Sequence, residues 1–293
     1  MITYRDLDYS KDIPEVVKLI NDNLDPDYTS DSLLWKHFHN PFGRSISIVA
    51  LDKDRIVAVV FYMRYNFQNN KGKIIRTIRP LDVCTDITQR GKGLFKILLE
   101  KCLKKHQDYD ILFSTPNKKS YPEFIKLGWS PLINYKFKLG LINRFTNTGS
   151  IHVEDFNLTS PLEENLNNHR YFTTATSLSY LTWRFKDSDY IIKKIYKKDQ
   201  TGYLIYRVDR VKKIKCIILC DYLGNENLLS LGLKEVCRIE KIMSVYYLDN
   251  ELNKKINFLI TASIRPAVII YKEKDFILPK DFLISLADLE GRL

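Results

Sequence analysis

The stretch Asp82-Val83-Cys84-Thr85-Asp86-Ile87-Thr88-Gln89-Arg90-Gly91-Lys92-Gly93-Leu94-Phe95 gathers the residue types that can hold a phosphate. It reads as strand, loop, glycine-rich turn and helix. Gly91 and Gly93 carry no Cβ, so the backbone can come close to a bulky anion. The amides of residues 90–95 would face a helix N-terminus, where unpaired N–H groups and the helix dipole favour negative charge. Arg90 and Lys92 add two cations. The turn lacks the Gly-Lys-Ser/Thr of a P-loop and a full G-x-G-x-x-G, which excludes the two commonest phosphate-binding alternatives. A tight helix start with glycines for packing alone would look the same.

Other reactive side chains fit their surroundings without chemistry. Cys84 has no recognisable His-Asp/Asn partner, and cysteine in a strand usually packs. His37 and His39 lie beside Trp35 with no further ligands in the pattern, so a solvated or capping role is expected. The five cysteines are odd in number, scattered and free of any CxxC pair, so neither a disulfide framework nor a metal site is expected. Cys216 and Cys220 alternate with apolar residues and belong on one buried sheet face; Trp35 and Trp183 are expected as core anchors.

The elements that must position the turn can be read from periodicity. Ile2–Arg5 reads as a strand, and Asp12 with Pro14 opens a helix with Val16, Val17, Leu19 and Ile20 on its apolar face. A second helix runs from Ser30 or Ser32 to Phe38. Ile46–Ala50 and Ile56–Tyr62 flank Asp52-Lys53-Asp54 as a hairpin. An extended run covers Ile74–Cys84, a helix about Gly91–Lys105, a strand Asp110–Ser114, a short helix Ser120–Lys126 and a strand Tyr135–Leu139. The order is β-α-α-β-β-β-α-β-α-β. The second half echoes it: Leu34-Trp35-Lys36 in Thr182-Trp183-Arg184, Ile111–Thr115 in Phe258–Ala262, Phe124–Trp129 in Tyr271–Phe276, each at an offset of 147 or 148. Ile191–Tyr196 and Tyr203–Val208 read as a second hairpin. These echoes suggest a duplicated unit.

Composition bounds the rest. A chain of 293 residues with 45% hydrophobic and 28% charged side chains supports two domains and excludes wholesale disorder. No apolar run reaches the roughly 20 residues of a spanning helix, and Met1–Asp6 lacks the blocks of a signal peptide, so a soluble cytoplasmic protein without membrane contact is expected. The net charge is +11, and residues 1–150 hold 24 basic against 16 acidic side chains. A basic surface favours polyanions or a phosphorylated small molecule, yet no compact nucleic-acid motif is present.

In its glycine turn and in a second motif downstream, the chain resembles the GNAT superfamily of acetyl-CoA-dependent N-acetyltransferases. The R/Q-x-x-G-x-G/A signature of that superfamily is met by Arg90-Gly91-Lys92-Gly93-Leu94-Phe95 in the Arg and the first required Gly, with Phe95 in place of the final Gly/Ala as in Eis-like relatives. Its N-x-x-A-x-x-x-Y-x-x-x-G-F motif is met by Asn117, Ser120, Phe124, Gly128 and Trp129 at the same spacing. The resemblance implies an α/β (α+β) fold of two GNAT-like lobes, each a mixed, mostly antiparallel sheet flanked by helices. The lobes would span 1–145 and 165–293 with a linker at 146–164, the second degenerate, without its own cofactor, and forming part of the acceptor cleft. It implies acetyl-CoA as co-substrate, held by Val83, Cys84 and Thr85 through main chain, by the turn Arg90, Gly91, Lys92, Gly93, Leu94 and Phe95, and by Asn117. The motif tyrosine falls on Phe124, which moves the catalytic acid to Tyr121, one turn earlier on the same helix face; Asp86 is the candidate base, with Asp82 behind it. The acceptor would be a small-molecule amine, an aminosugar or nucleotide-linked sugar. A non-catalytic CoA- or anion-binding module and a Fem-like aminoacyl-tRNA-dependent transferase are the alternatives.

Overall fold

A computed structural model of the protein describes residues 1–132, 135–145, 149, 151–163, 171–187, 189–274 and 277–289. The first half contains β1 (Ile2–Asp6), α1 (Ile13–Asn23), α2 (Ser30–His37), β2 (Ile46–Asp52), β3 (Arg55–Gln68), β4 (Ile74–Thr85), α3 (Leu94–Lys105), β5 (Ile111–Ser114), α4 (Tyr121–Lys126), β6 (Ser130–Pro131) and β7 (Lys136–Leu141). The second contains β8 (His152–Asp155), β9 (Thr173–Thr174), α5 (Leu178–Arg184), β10 (Ile191–Lys197), β11 (Gln200–Val211), β12 (Ile214–Gly224), α6 (Leu229–Ile239), β13 (Ser244–Leu248), β14 (Ile260–Pro266) and β15 (Ile270–Glu273). None of the described helices is long and apolar enough to cross a membrane.

The sequence of β2 and β3 explains their place at the centre of the first sheet. They pair antiparallel through Ile48↔Val60, Val49↔Val59 and Ala50↔Ala58. Both faces are apolar because both are covered. Val60 and Tyr62 pack into the cluster that holds Leu94, Leu98 and Leu99 of α3, while Val59 and Phe61 pack with Val16, Leu19 and Ile20 of α1. Each such side chain contributes on the order of 2 kcal/mol by burial. The order of this sheet is β1-β2-β3-β4-β5-β15-β6, with β9 against the end of β3. The second sheet runs β14-β7-β13-β12-β11-β10-β8. Its β12 carries Ile217 and Leu219 into one cluster with Leu229, Leu233 and Val236 of α6.

Two compact units result, and they are not contiguous. One comprises Met1–Asn66, Ile75–Ser130 and Ile270–Ile277; the other comprises Phe67–Ile74, Pro131–Ile269 and Leu278–Leu293. The division differs from boundaries at 1–145 and 165–293 because two strands change places. β7, which falls within the expected 1–145 lobe, pairs with β13 and β14 in the second. β15, from the far end of the chain, pairs antiparallel with β5 through Ile270↔Ser114 and Tyr271↔Phe113 in the first. The expected linker 146–164 lies partly outside the described residues and includes β8, which pairs with β10.

The internal echoes divide accordingly. The tryptophan echo is structural: α2 and α5 are both capped by a hydroxyl, Thr29 accepting from the Ser32 amide and Ser177 from the Tyr180 amide. Both tryptophans are half-buried rather than central. The other two echoes are accidental. Ile111–Thr115 lies on β5 beside β4, whereas Phe258–Ala262 leads into β14 beside β7. Phe124–Trp129 begins in a helix, whereas Tyr271 lies in a strand and Phe276 outside the described residues. The counterpart of β5 is β13, which runs parallel to β12 as β5 does to β4.

Candidate functional site

The glycine-rich turn is an open cradle at the start of α3. Gly91 and Gly93 have φ of +78° and +74°, the left-handed region that L side chains rarely adopt. A Cβ built on either would meet no atom within 4 Å. Gly93 caps α3 and has no side chain to accept from the first-turn amides, so those N–H groups face whatever enters the turn. The helix therefore begins at Leu94, three residues later than its periodicity suggests. A cavity of about 390 Å³ lies alongside, lined by Thr85, Arg90, Gly91, Gly93, Leu94 and Phe95, with Glu123 also on its wall. Glu123 is paired with Lys126 at 2.7 Å.

The two cations of the turn have local work. Arg90 donates from Nε to the Thr85 carbonyl at 3.2 Å and from Nη2 to the Asn23 carbonyl at 3.1 Å, tying the turn to the end of α1. Lys92 donates to Gln89 Oε1 at 2.6 Å. Both remain exposed, and their charge still favours an anion nearby.

The strand leading into the cradle opens away from its neighbour. β4 is in register with β5 at Thr77↔Ile111 and Ile78↔Leu112, yet continues to Thr85. Val83, Cys84 and Thr85 lie in the part past that register, where a main chain can accept an extended ligand as a further strand. The Cys84 side chain turns the other way. It is buried with α1, donates to the Leu19 carbonyl at 3.5 Å, and burial pushes its thiol up to about 12. It acts through its backbone or not at all.

Asp86, the candidate base, is engaged locally. Its Oδ1 accepts from the Thr88 amide at 2.9 Å and the Thr88 hydroxyl at 2.6 Å, and its Oδ2 lies 3.3 Å from Arg55. The Thr88 hydroxyl and amide hold its pKa below the ordinary carboxylate value. It caps the single 3₁₀ turn Ile87–Gln89 that carries the chain into the cradle. Asn117 is likewise local: its Oδ1 accepts from the Lys119 and Ser120 amides, both at 2.9 Å.

The two departures from the family pattern meet each other. Phe124 is buried, with its ring 5.4 Å from Phe95 and 4.9 Å from Trp129, both edge-on. Phe95, in place of the small residue of the signature, thus packs against Phe124, in place of the motif tyrosine. Tyr121 is half-buried against the same cluster, at the first residue of α4.

Sequence reasoning named Asp82 and His37 separately and missed that they meet, with Tyr28 and Lys36, in one group. Asp82 has φ of +47°, and its Oδ2 accepts from the Tyr28 hydroxyl at 2.6 Å, Lys36 Nζ at 3.0 Å and His37 Nε2 at 3.0 Å. His37, expected in a solvated or capping role, is fully buried, stacked on Phe61 at 3.9 Å, with Nδ1 2.9 Å from Ser45 Oγ. Burial lowers the His37 pKa, so the neutral ring donates from Nε2 and accepts from Ser45. Burial would raise the Asp82 pKa, but the His37 hydrogen bond and the charge of Lys36 outweigh it and hold the carboxyl far below its ordinary value. The only local signal was a single acidic residue in a strand whose other charged residues, Arg76 and Arg79, are basic. Among the described residues, no group of three or more His, Cys, Asp or Glu side chains is disposed to hold a metal ion.

An acetyltransferase (GNAT) domain family matches residues 3–132, the segment that carries the cradle and the opened strand. Residues 3–132 are similar to GNAT acetyltransferase domains. The whole chain also shares its fold with larger solved structures. A GCN5-related N-acetyltransferase from Anabaena variabilis superposes with a TM-score of 0.73 at 13% identity, over 93% of this chain and 73% of that one. One from Kribbella flavida gives 0.68 at 10% identity, over 94% and 72%. Eis1 from Mycobacterium abscessus gives 0.62 at 9% identity, over 93% and 73%. No curated protein matches the sequence. The GNAT fold thus accounts for both sheets, the second unit repeating the architecture of the GNAT domain without its glycine turn.

Proposed function

We propose that the GNAT domain transfers an acetyl group from acetyl-CoA to the amine of a small acceptor, with an aminosugar or nucleotide-linked sugar as the first class to test. The observation that carries this reading is the open cradle at Gly91 and Gly93, directly after a strand free to take up an extended ligand. The diphosphate of CoA would sit on the first-turn amides of α3, and its amide-bearing arm along Val83–Thr85. The neutral amine attacks the thioester carbonyl, forming the C–N bond. The resulting oxyanion is held by a main-chain N–H of Cys84 or Thr85. The C–S bond then breaks, the thiolate takes a proton from the Tyr121 hydroxyl, and the product amide loses its extra proton to solvent.

One observation favours a second reading, a CoA-binding module without turnover: the motif position is the buried Phe124, which has no hydroxyl to give. Incubation with radiolabelled acetyl-CoA and a panel of amines separates the two. The transferase yields labelled amide and free CoA, and Tyr121→Phe lowers kcat by about a hundredfold with CoA affinity retained. Tight CoA binding with no labelled product from any amine would establish the silent module instead.

A further inference from the structure

The buried group around Asp82 lies immediately before the residues assigned to the cofactor, and its backbone is the unusual feature. Six described non-glycine residues have a left-handed φ: Lys53, Lys198, Lys212, Lys213, Lys241 and Asp82. The five lysines lie in turns, while Asp82 lies inside a strand. A left-handed residue within β4 turns the chain after it, a conformation that glycine adopts freely, that aspartate and asparagine tolerate, and that is unfavourable for other side chains.

The compensation is visible in the side chain. Three donors converge on one carboxylate oxygen, from Tyr28, Lys36 and His37, and Lys36 also lies 3.3 Å from Oδ1. The donors are themselves fixed. Lys36 lies over the Tyr28 ring at 4.8 Å, and His37 is held between Phe61 and Ser45. Lys36 and Asp82 side chains are 15% and 14% exposed, so the pair is shielded from solvent. A carboxylate whose lone pairs are occupied in this way is a poor proton acceptor. Its effect passes through the backbone of the same residue.

We propose that Asp82 is a positioning residue: drawn toward α2 by Tyr28, Lys36 and His37, it locks residue 82 in the left-handed conformation that turns β4 and presents Val83–Thr85 to the cofactor. The inference rests on the CoA reading and deepens it. Lys36 and His37 are part of the anchor, since α2 places both against β4 at once.

CoA titration by calorimetry, with melting temperature measured in parallel, tests it on three variants. Asp82→Ala removes both the anchor and a side chain tolerant of positive φ, and is expected to weaken CoA binding about tenfold or more. Asp82→Gly loses every hydrogen bond of the anchor but adopts φ of +47° freely, so it recovers to within about threefold of the parent. The double variant Asp82→Gly/Lys36→Met leaves no buried ammonium unpaired and gives the same recovery if the single one folds poorly. Undiminished CoA binding by a folded Asp82→Ala protein overturns the proposal. So does a glycine variant that binds CoA normally yet loses acetyl transfer with a shifted acid limb of the pH–rate profile, which would make Asp82 a proton acceptor. Failure of the parent protein to bind CoA strikes the functional reading and is distinguishable from both.

Discussion

The two sheets place an aspartate at the same point of the long strands β4 and β12 and shift its pKa in opposite directions. Asp82 precedes the cap Asp86 by four residues, as Asp221 precedes the cap Asn225. In both strands the parallel pairing is confined to two positions before that point, Thr77 and Ile78 in β4, Ile217 and Ile218 in β12. The backbone is irregular at each: Asp82 is left-handed, and the β11–β12 register slips between Ile205↔Asp221 and Tyr206↔Leu219. Asp82 meets a lysine, a histidine and a phenol and stays ionised. Asp221 is buried, and burial together with the charge of Asp288 pushes it up to about 8. Arg184, one residue past Trp183 as Lys36 is past Trp35, donates instead to the Ala287 carbonyl at 2.9 Å. The segment Phe282–Leu289 is buried there, with Asp288 accepting from Thr174 Oγ1 at 2.5 Å and from the Ser285 amide at 2.7 Å.

The chain beyond each aspartate diverges as sharply. In the GNAT domain the 3₁₀ turn ends at Gln89 and α3 starts at Leu94, leaving Arg90–Gly93 for the cradle. In the second unit the 3₁₀ turn ends at Leu228 and α6 starts at Leu229, both residues buried. Its glycine, Gly224, is closed: a Cβ there would lie 2.5 Å from the Thr201 carbonyl oxygen. The two units keep the same strands and helix and differ in the four-residue turn between them.

The largest expected effect comes from separating the strands that the chain exchanges. A protein ending at residue 145 lacks β15 and leaves β5 with a bare edge, so it should be insoluble or melt at least about 10 °C below the full chain. A soluble fragment with the full chain's melting temperature would show that β15 adds nothing to the first sheet.

Two isosteric substitutions sharpen the contrast between the aspartates. Asp82→Asn breaks a buried ion pair and should cost about 3 kcal/mol at pH 7. Because the folded pKa of Asp82 is depressed, this stabilisation is present above the unfolded value of about 3.9 and is lost as pH falls below it. Asp221→Asn has the opposite sign. A raised folded pKa means the native state keeps a proton that the unfolded chain has released, so parent stability declines as pH rises from about 4 toward about 8. The asparagine removes that decline and should raise stability at pH 8, with little change at pH 4. Thermal melts of both variants across pH 4–9 check the pair; the same sign for both at pH 8 would contradict the assignment of charge states.

Much of the GNAT domain was legible because its signals are local. The β2–β3 hairpin, the apolar stripes of α1 and α3 and the paired glycines each lie within a dozen residues or so. The exchange of β7 and β15 was not legible. Tyr135–Leu139 and Ile269–Tyr271 have the same strand-like pattern whichever sheet takes them, and the choice rests on pairings more than a hundred residues apart. The Asp82 anchor was hidden for the same reason, since its donors lie 45 to 54 residues away. The offset of 147 misled because short apolar runs recur by chance, whereas the true correspondence of β4 with β12 has an offset of 139 at the caps Asp86 and Asn225.

The most direct test of the central claim is a calorimetric titration of the full chain with CoA, repeated on Gly93→Trp. The parent should bind one CoA per chain, because the cradle belongs to the GNAT domain and Gly224 of the second unit is closed. The variant should show no measurable binding at an unchanged far-ultraviolet circular dichroism spectrum. Two CoA molecules per chain, or equal affinity in the two proteins, would contradict the claim.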